Sequence, residues 1–160
     1  MPKDNRGVSL VELIVVIAII GILSTASVIG LSAVSGKEAQ QCIDELRGSV
    51  NANRTVSLGK KDAKLVISKQ SDGIHVTESY TLPSGPYSSD KKIASDKVKL
   101  YYSADNVTFT EVDSSGIAIE FDRSSGSLKN FSDDLHFKAE KNSKSFAFRI
   151  YQLTGKTKTE

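Results

Sequence analysis

Gly7-Val8-Ser9-Leu10-Val11-Glu12-Leu13-Ile14-Val15-Val16-Ile17-Ala18-Ile19-Ile20-Gly21-Ile22-Leu23 begins an apolar run that reaches Val34, and Glu12 is the only charged side chain in it. Arg6 and Lys37 bound the run on either side. About 20 apolar residues suffice to cross a bilayer, so residues 8–31 read as a membrane-spanning helix. A charge inside such a helix costs roughly 2.5–3.5 kcal/mol on insertion scales, which means that a carboxylate kept there answers to a counter-charge. Upstream, Met1 to Gly7 is short and polar, carries Lys3 and Arg6, and ends in glycine, as a removable leader would. Cleavage after Gly7 would create an α-amino group on Val8. Glu12 follows four residues later, about one helical turn away. Ammonium and carboxylate then neutralise each other within one chain or between neighbours, and the second arrangement is an assembly device.

The order of glycine, hydroxyl residue, glutamate and aliphatic tail resembles the processing and methylation segment of type IV pilins and type II secretion pseudopilins. The resemblance implies that a prepilin peptidase cuts between Gly7 and Val8 and N-methylates Val8. It also implies that Glu12 meets the N-terminus of an adjacent subunit in a filament. The family usually has phenylalanine where this chain has Val8, and the mid-helix proline of many pilins is missing. Two other readings compete. Ser24-Thr25-Ala26 could end a secretory signal, although Glu12 would weaken its apolar region. The run could also be a plain single-pass anchor. Basic residues in the leader place the N-terminus in the cytoplasm and the remainder outside.

Beyond the run, Ala39, Ile43, Leu46 and Val50 recur at spacings of three and four, with Lys37, Gln40, Asp44, Arg47 and Asn51 off that stripe. The spacing predicts one helix over 8–54, about 70 Å long at about 1.5 Å per residue, with an apolar and an amphipathic half. Gly21, Gly30, Gly36 and Gly48 weaken it locally. Residues 55–160 read as a β-rich head. Alternation marks strands at Leu65–Ile67, Ile74–Thr77, Val98–Tyr102, Val107–Phe109, Ile117–Phe121, Leu135–Phe137 and Phe146–Ile150. Turn chemistry separates them at Ser71-Asp72-Gly73, Pro83-Ser84-Gly85-Pro86, Ala104-Asp105-Asn106, Ser114-Ser115-Gly116 and Ser124-Ser125-Gly126. The expected fold is α+β: a long N-terminal helix whose amphipathic half completes the core of an antiparallel sheet of about six or seven strands, the pilin arrangement. Gly116 to Gly126, followed by Phe146 to Lys156, resembles the C-terminal half of H-type minor pseudopilins.

With 160 residues, removing the leader and the membrane helix leaves room for one small domain. A net charge of +2 gives no global bias toward nucleic acid. Cys42 is the sole cysteine, so no internal disulfide forms, and its place in the helix reads as a buried apolar position. His75 and His136 lie in separate strands with no catalytic or metal-binding motif around them. No catalytic residue, cofactor or metal site is expected. The Asp133-Asp134 pair and the Asp105-Asn106 turn lack the ordered ligand spacing of a calcium loop. Asn53, Asn106 and Asn130 begin glycosylation triplets too short to carry weight. Lysines at 60, 61, 64, 91, 92, 97, 99, 138, 141, 144, 156 and 158 raise a DNA-binding alternative, but interspersed acids make a mixed solvated face the simpler account. The reading is therefore a non-enzymatic minor pilin or pseudopilin, with a major pilin or a DNA-uptake pilin as alternatives. Its partners are other pilin subunits, the prepilin peptidase and, before assembly, the cytoplasmic membrane, from which it passes to a cell-surface filament.

Overall fold

A computed structural model describes residues 10–21, 36–59 and 61–160. The chain divides into two compact units, Met1–Ser35 and Gly36–Glu160. In the first, residues 10–21 are helical (α1) and exposed throughout. Leu10 is 74% exposed, Ile14 56% and Ile17 60%. At about 1.5 Å per residue this stretch is about 18 Å long, against about 30 Å of bilayer hydrocarbon. Among the described residues, no helix is long and apolar enough to cross a membrane. The expected span over 8–31, the leader 1–7 and the Ser24-Thr25-Ala26 site lie partly or wholly outside the described residues.

The second unit begins with α2 (Lys37–Leu58), which buries Ala39, Cys42, Ile43, Leu46 and Val50 and, further along the same stripe, Ser49, Asn53 and Ser57. The helix passes the expected end at Arg54 and stops at Gly59, whose N–H bonds to the Thr55 carbonyl at 3.1 Å. Its first turn is tied down by Glu38, which accepts the Ser95 N–H at 3.0 Å and pairs with Lys141. Those two bonds, Lys141's first, hold the Glu38 carboxyl down to about 2.

Nine strands follow among the described residues: β1 (Ala63–Gln70), β2 (Gly73–Leu82), β3 (Gly85–Ser95), β4 (Lys99–Ser103), β5 (Thr110–Glu111), β6 (Ile117–Glu120), β7 (Leu135–Lys141), β8 (Lys144–Ile150) and β9 (Thr157–Thr159). They form two antiparallel sheets, ordered β3-β2-β1-β6 (sheet A) and β5-β4-β7-β8-β9 (sheet B), where one sheet was expected. Both sheets use the helix: α2 touches β1, β2 and β3 of sheet A and β7 and β8 of sheet B. Period-two alternation turns Leu65 and Ile67 of β1 and Leu135, Phe137 and Ala139 of β7 into one core with the α2 stripe. Phe137 and Phe148, opposite one another across β7 and β8, stack at 5.4 Å.

Three sequence expectations need correction. Val107–Phe109 is not a strand, because the Asp105 carboxylate takes the N–H groups of Val107 and Thr108 at 2.9 and 2.8 Å and withholds them from a ladder. Pairing resumes only at Thr110. Between the Pro83–Pro86 turn and Val98, where alternation marked no strand, lies most of the 11-residue edge strand β3. A bulge in its pairing between Ile74 and His75 brings the consecutive residues Ile93 and Ala94 both inward. The C-terminus adds the short strand β9 on β8.

The turns at Gly126 and Gly155 converge. Gly126 (φ 71°) and Gly155 (φ 62°) both adopt left-handed backbone, and a Cβ on Gly155 would collide with the Gly126 carbonyl. Arg54 of α2 donates from Nε to the Gly126 carbonyl at 3.2 Å and to the Thr154 carbonyl at 2.8 Å, fastening both turns to the helix.

Candidate functional site

Of the residues assigned to processing and assembly, Gly7 and Val8 lie outside the described residues. Glu12 lies in the first turns of α1 and is exposed, as are Val11 (69%) and Leu13 (55%) beside it. A helix that is apolar all round belongs in lipid or inside a larger assembly, since water against every face forgoes its burial energy. From Leu10 to Gly21 that condition holds except at Glu12, so the carboxylate is the one polar mark on a surface built for apolar surroundings.

Both histidines of the head are held by carboxylates. His75 Nδ1 lies 2.6 Å from Asp90 and Nε2 lies 2.9 Å from Asp72, while Thr77 bonds Asp90 at 2.7 Å and Lys92 faces Asp72 at 3.2 Å. With a carboxylate at each ring nitrogen, the imidazolium form is favoured, and Asp90 leads in raising the His75 pKa above its ordinary value. Neither nitrogen is left to act on a substrate. A raised folded-state value stabilises the fold fully below the unfolded pKa of about 6.5, and that contribution is lost as pH rises through the folded value. The stability advantage of wild type over His75→Gln is therefore expected to shrink between neutral and alkaline pH. Paired thermal melts across that range check it, and a constant difference would rule out imidazolium pairing.

His136 is buried and lies 3.3 Å from Glu160, which also meets Arg149 Nε at 3.3 Å, so the last residue of the chain is pinned to sheet B. The acidic positions considered for calcium are engaged otherwise. Asp105 accepts the Ser103 hydroxyl at 2.7 Å besides its two backbone donors, which holds its carboxyl well below the usual range. Asp134 accepts the Gln152 N–H at 2.8 Å. Among the described residues, no group of three or more His, Cys, Asp or Glu side chains could hold a metal ion. Cys42 is fully buried, and burial pushes its thiol up to about 12.

Among the described residues, four of the twelve lysines offered for DNA contact are paired with acids: Lys92 with Asp72 at 3.2 Å, Lys138 with Glu140 at 2.9 Å, and Lys91 and Lys141 with Glu45 and Glu38. Lys61 lies over the Tyr80 ring, which stacks on Tyr87 at 4.6 Å. The sequence drew no attention to Arg54, Glu38 or Asp90, each of which joins segments far apart in the chain; their only signal was a charge near an apolar stripe or strand.

Comparison with known proteins finds the prokaryotic N-terminal methylation motif over residues 2–28, a segment that contains Gly7, Val8 and Glu12. No curated protein and no solved structure matches the chain. The motif supports a type IV pilin-like family and, with it, prepilin cleavage, methylation and a subunit role. The α+β head, with a helix packed on antiparallel sheets, is compatible with a pilin fold.

Proposed function

We propose that this chain is a non-enzymatic minor subunit of a type IV pilus-like or type II secretion-like filament. It is made as a precursor in the cytoplasmic membrane, is trimmed by a prepilin peptidase between Gly7 and Val8, and is methylated on Val8. The observation that carries the reading is α1: an apolar surface exposed on every face, marked only by Glu12, inside the matched methylation segment. Such a helix is stable first in lipid and then among the helices of neighbouring subunits. Minor status rests on the C-terminal resemblance, and the convergence of Gly126 and Gly155 on Arg54 gives that pattern a structural reason.

The test is the N-terminus of the mature protein. Intact-mass measurement is expected to show a chain beginning at Val8 and carrying one added methyl group. Gly7→Val should leave the precursor uncut, because a branched side chain next to the scissile bond obstructs the peptidase, whereas Gly7→Ala should be cut partially. A mature chain beginning after Ala26, or at Met1 in wild type, would overturn the assignment.

A further inference from the structure

The first turn of α2, the end of β3 and the β7–β8 turn meet at one end of the head, since Glu38 bonds both Ser95 and Lys141. Four exposed lysines gather there. Lys37 opens α2, Lys97 and Lys99 flank the buried Val98, and Lys144 follows the Asn142-Ser143 turn. Lys97, Lys99 and Lys144 rim one hollow of about 270 Å³. The stem of Lys144 lies against Gly36, where an added Cβ would stand 2.7 Å from Lys144 Cδ. None of the four lysines has an ion pair among the described residues. The acids nearby are mostly engaged: Glu38 with Lys141, Glu140 with Lys138, and Asp72, in the turn beside Ser95, with His75 and Lys92. Asp96 remains to offset the group.

The chain enters the head at this same end. Val34 closes the apolar run three residue steps before Lys37, and three steps span at most about 11 Å whatever path they take. With the run in lipid, Lys37 is tethered within about one Debye length of the bilayer surface, about 10 Å at 0.1 M salt, a range over which charges still act on each other. We propose that this end of the head docks on anionic phospholipid headgroups, with Lys37, Lys97, Lys99 and Lys144 set against the phosphates. Charge alone would suit any polyanion. The tether selects the lipid, because headgroup phosphates lie within reach before any other partner is met. The docking rests on the reading of the apolar run as a membrane span, and it gives the unassembled subunit a second, salt-sensitive hold on the membrane.

The test uses the full chain reconstituted in vesicles that carry a quencher on their headgroups. A fluorophore is attached at Ser145→Cys, beside the lysines, or at Leu153→Cys, beyond the opposite end of β8; Cys42 is buried and stays unlabelled. The label at position 145 should be quenched in mixed phosphatidylglycerol and phosphatidylcholine, and should brighten in phosphatidylcholine alone or in raised salt. The label at position 153 should stay bright throughout. Lys97→Gln with Lys99→Gln should lower the ratio of docked to free heads about fivefold for each lysine lost, whereas Lys97→Arg with Lys99→Arg should dock as wild type does. Equal quenching in the two lipids, quenching at position 153 in place of 145, or a glutamine pair that docks like wild type would overturn the docking. Flotation keeps the two readings apart. A chain that stays with phosphatidylcholine vesicles through high salt, yet is unquenched at 145 on anionic ones, keeps the span and loses the docking. A chain that salt washes off phosphatidylcholine has no span, and quenching at 145 on anionic vesicles would then leave the docking standing by itself.

Discussion

Glu12→Ala is expected to leave membrane insertion and leader removal intact and to abolish stable incorporation into filaments. Insertion improves if it changes at all, because a carboxylate costing roughly 2.5–3.5 kcal/mol in lipid is gone. Incorporation fails because the ammonium of a neighbouring Val8 is then buried without its counter-ion, and breaking a buried pair by deleting one partner costs about 3–5 kcal/mol. Glu12→Asp keeps the charge on a shorter reach and should be intermediate. Cells making each variant are fractionated, and processed protein in membranes is compared with that in sheared filaments. Filament incorporation of Glu12→Ala at the wild-type level would show that the carboxylate is not an assembly contact.

The second large effect concerns α2. A chain beginning at Thr55 should lose cooperative folding, whereas one beginning at Gly36 should melt in a single sharp transition. Ile43, Leu46 and Val50 are at most 2% exposed, and burial of each is worth roughly 1.5–3 kcal/mol. Together that is comparable with the whole stability of a small domain, about 5–15 kcal/mol. The shorter chain also loses Glu38 and Arg54, and with them the bonds to Ser95, Gly126 and Thr154. Circular dichroism melts decide the matter, and equal melting temperatures would mean that the stripe does not complete the core.

How much of this was legible in the sequence depended on whether a residue's neighbours in the chain were also its neighbours in space. The α2 stripe was readable from Ala39 to Val50, but past it the buried positions are Asn53 and Ser57, whose polarity concealed a periodicity that continues unbroken. β3 was missed because it is an edge strand with one side open: Ser88, Asp90, Lys91 and Lys92 are exposed, so the alternation that marks a strand never develops. Val107–Phe109 misled for the opposite reason, since the alternation is present while Asp105 removes the donors. Two sheets in place of one could not have been foreseen, because alternation shows which face of a strand is buried and says nothing about which strand lies beside it. At the N-terminus, by contrast, a single carboxylate in an apolar run needs no tertiary context to be informative.

The two bonds of Glu38 have a mechanical meaning. Tension travelling along the chain into the head enters at the first turn of α2, and there one carboxylate holds Ser95 at the end of β3 and Lys141 at the end of β7. The pull is divided at once between sheet A and sheet B, and neither can be peeled away while the other stays behind. A head anchored in this way yields as a unit.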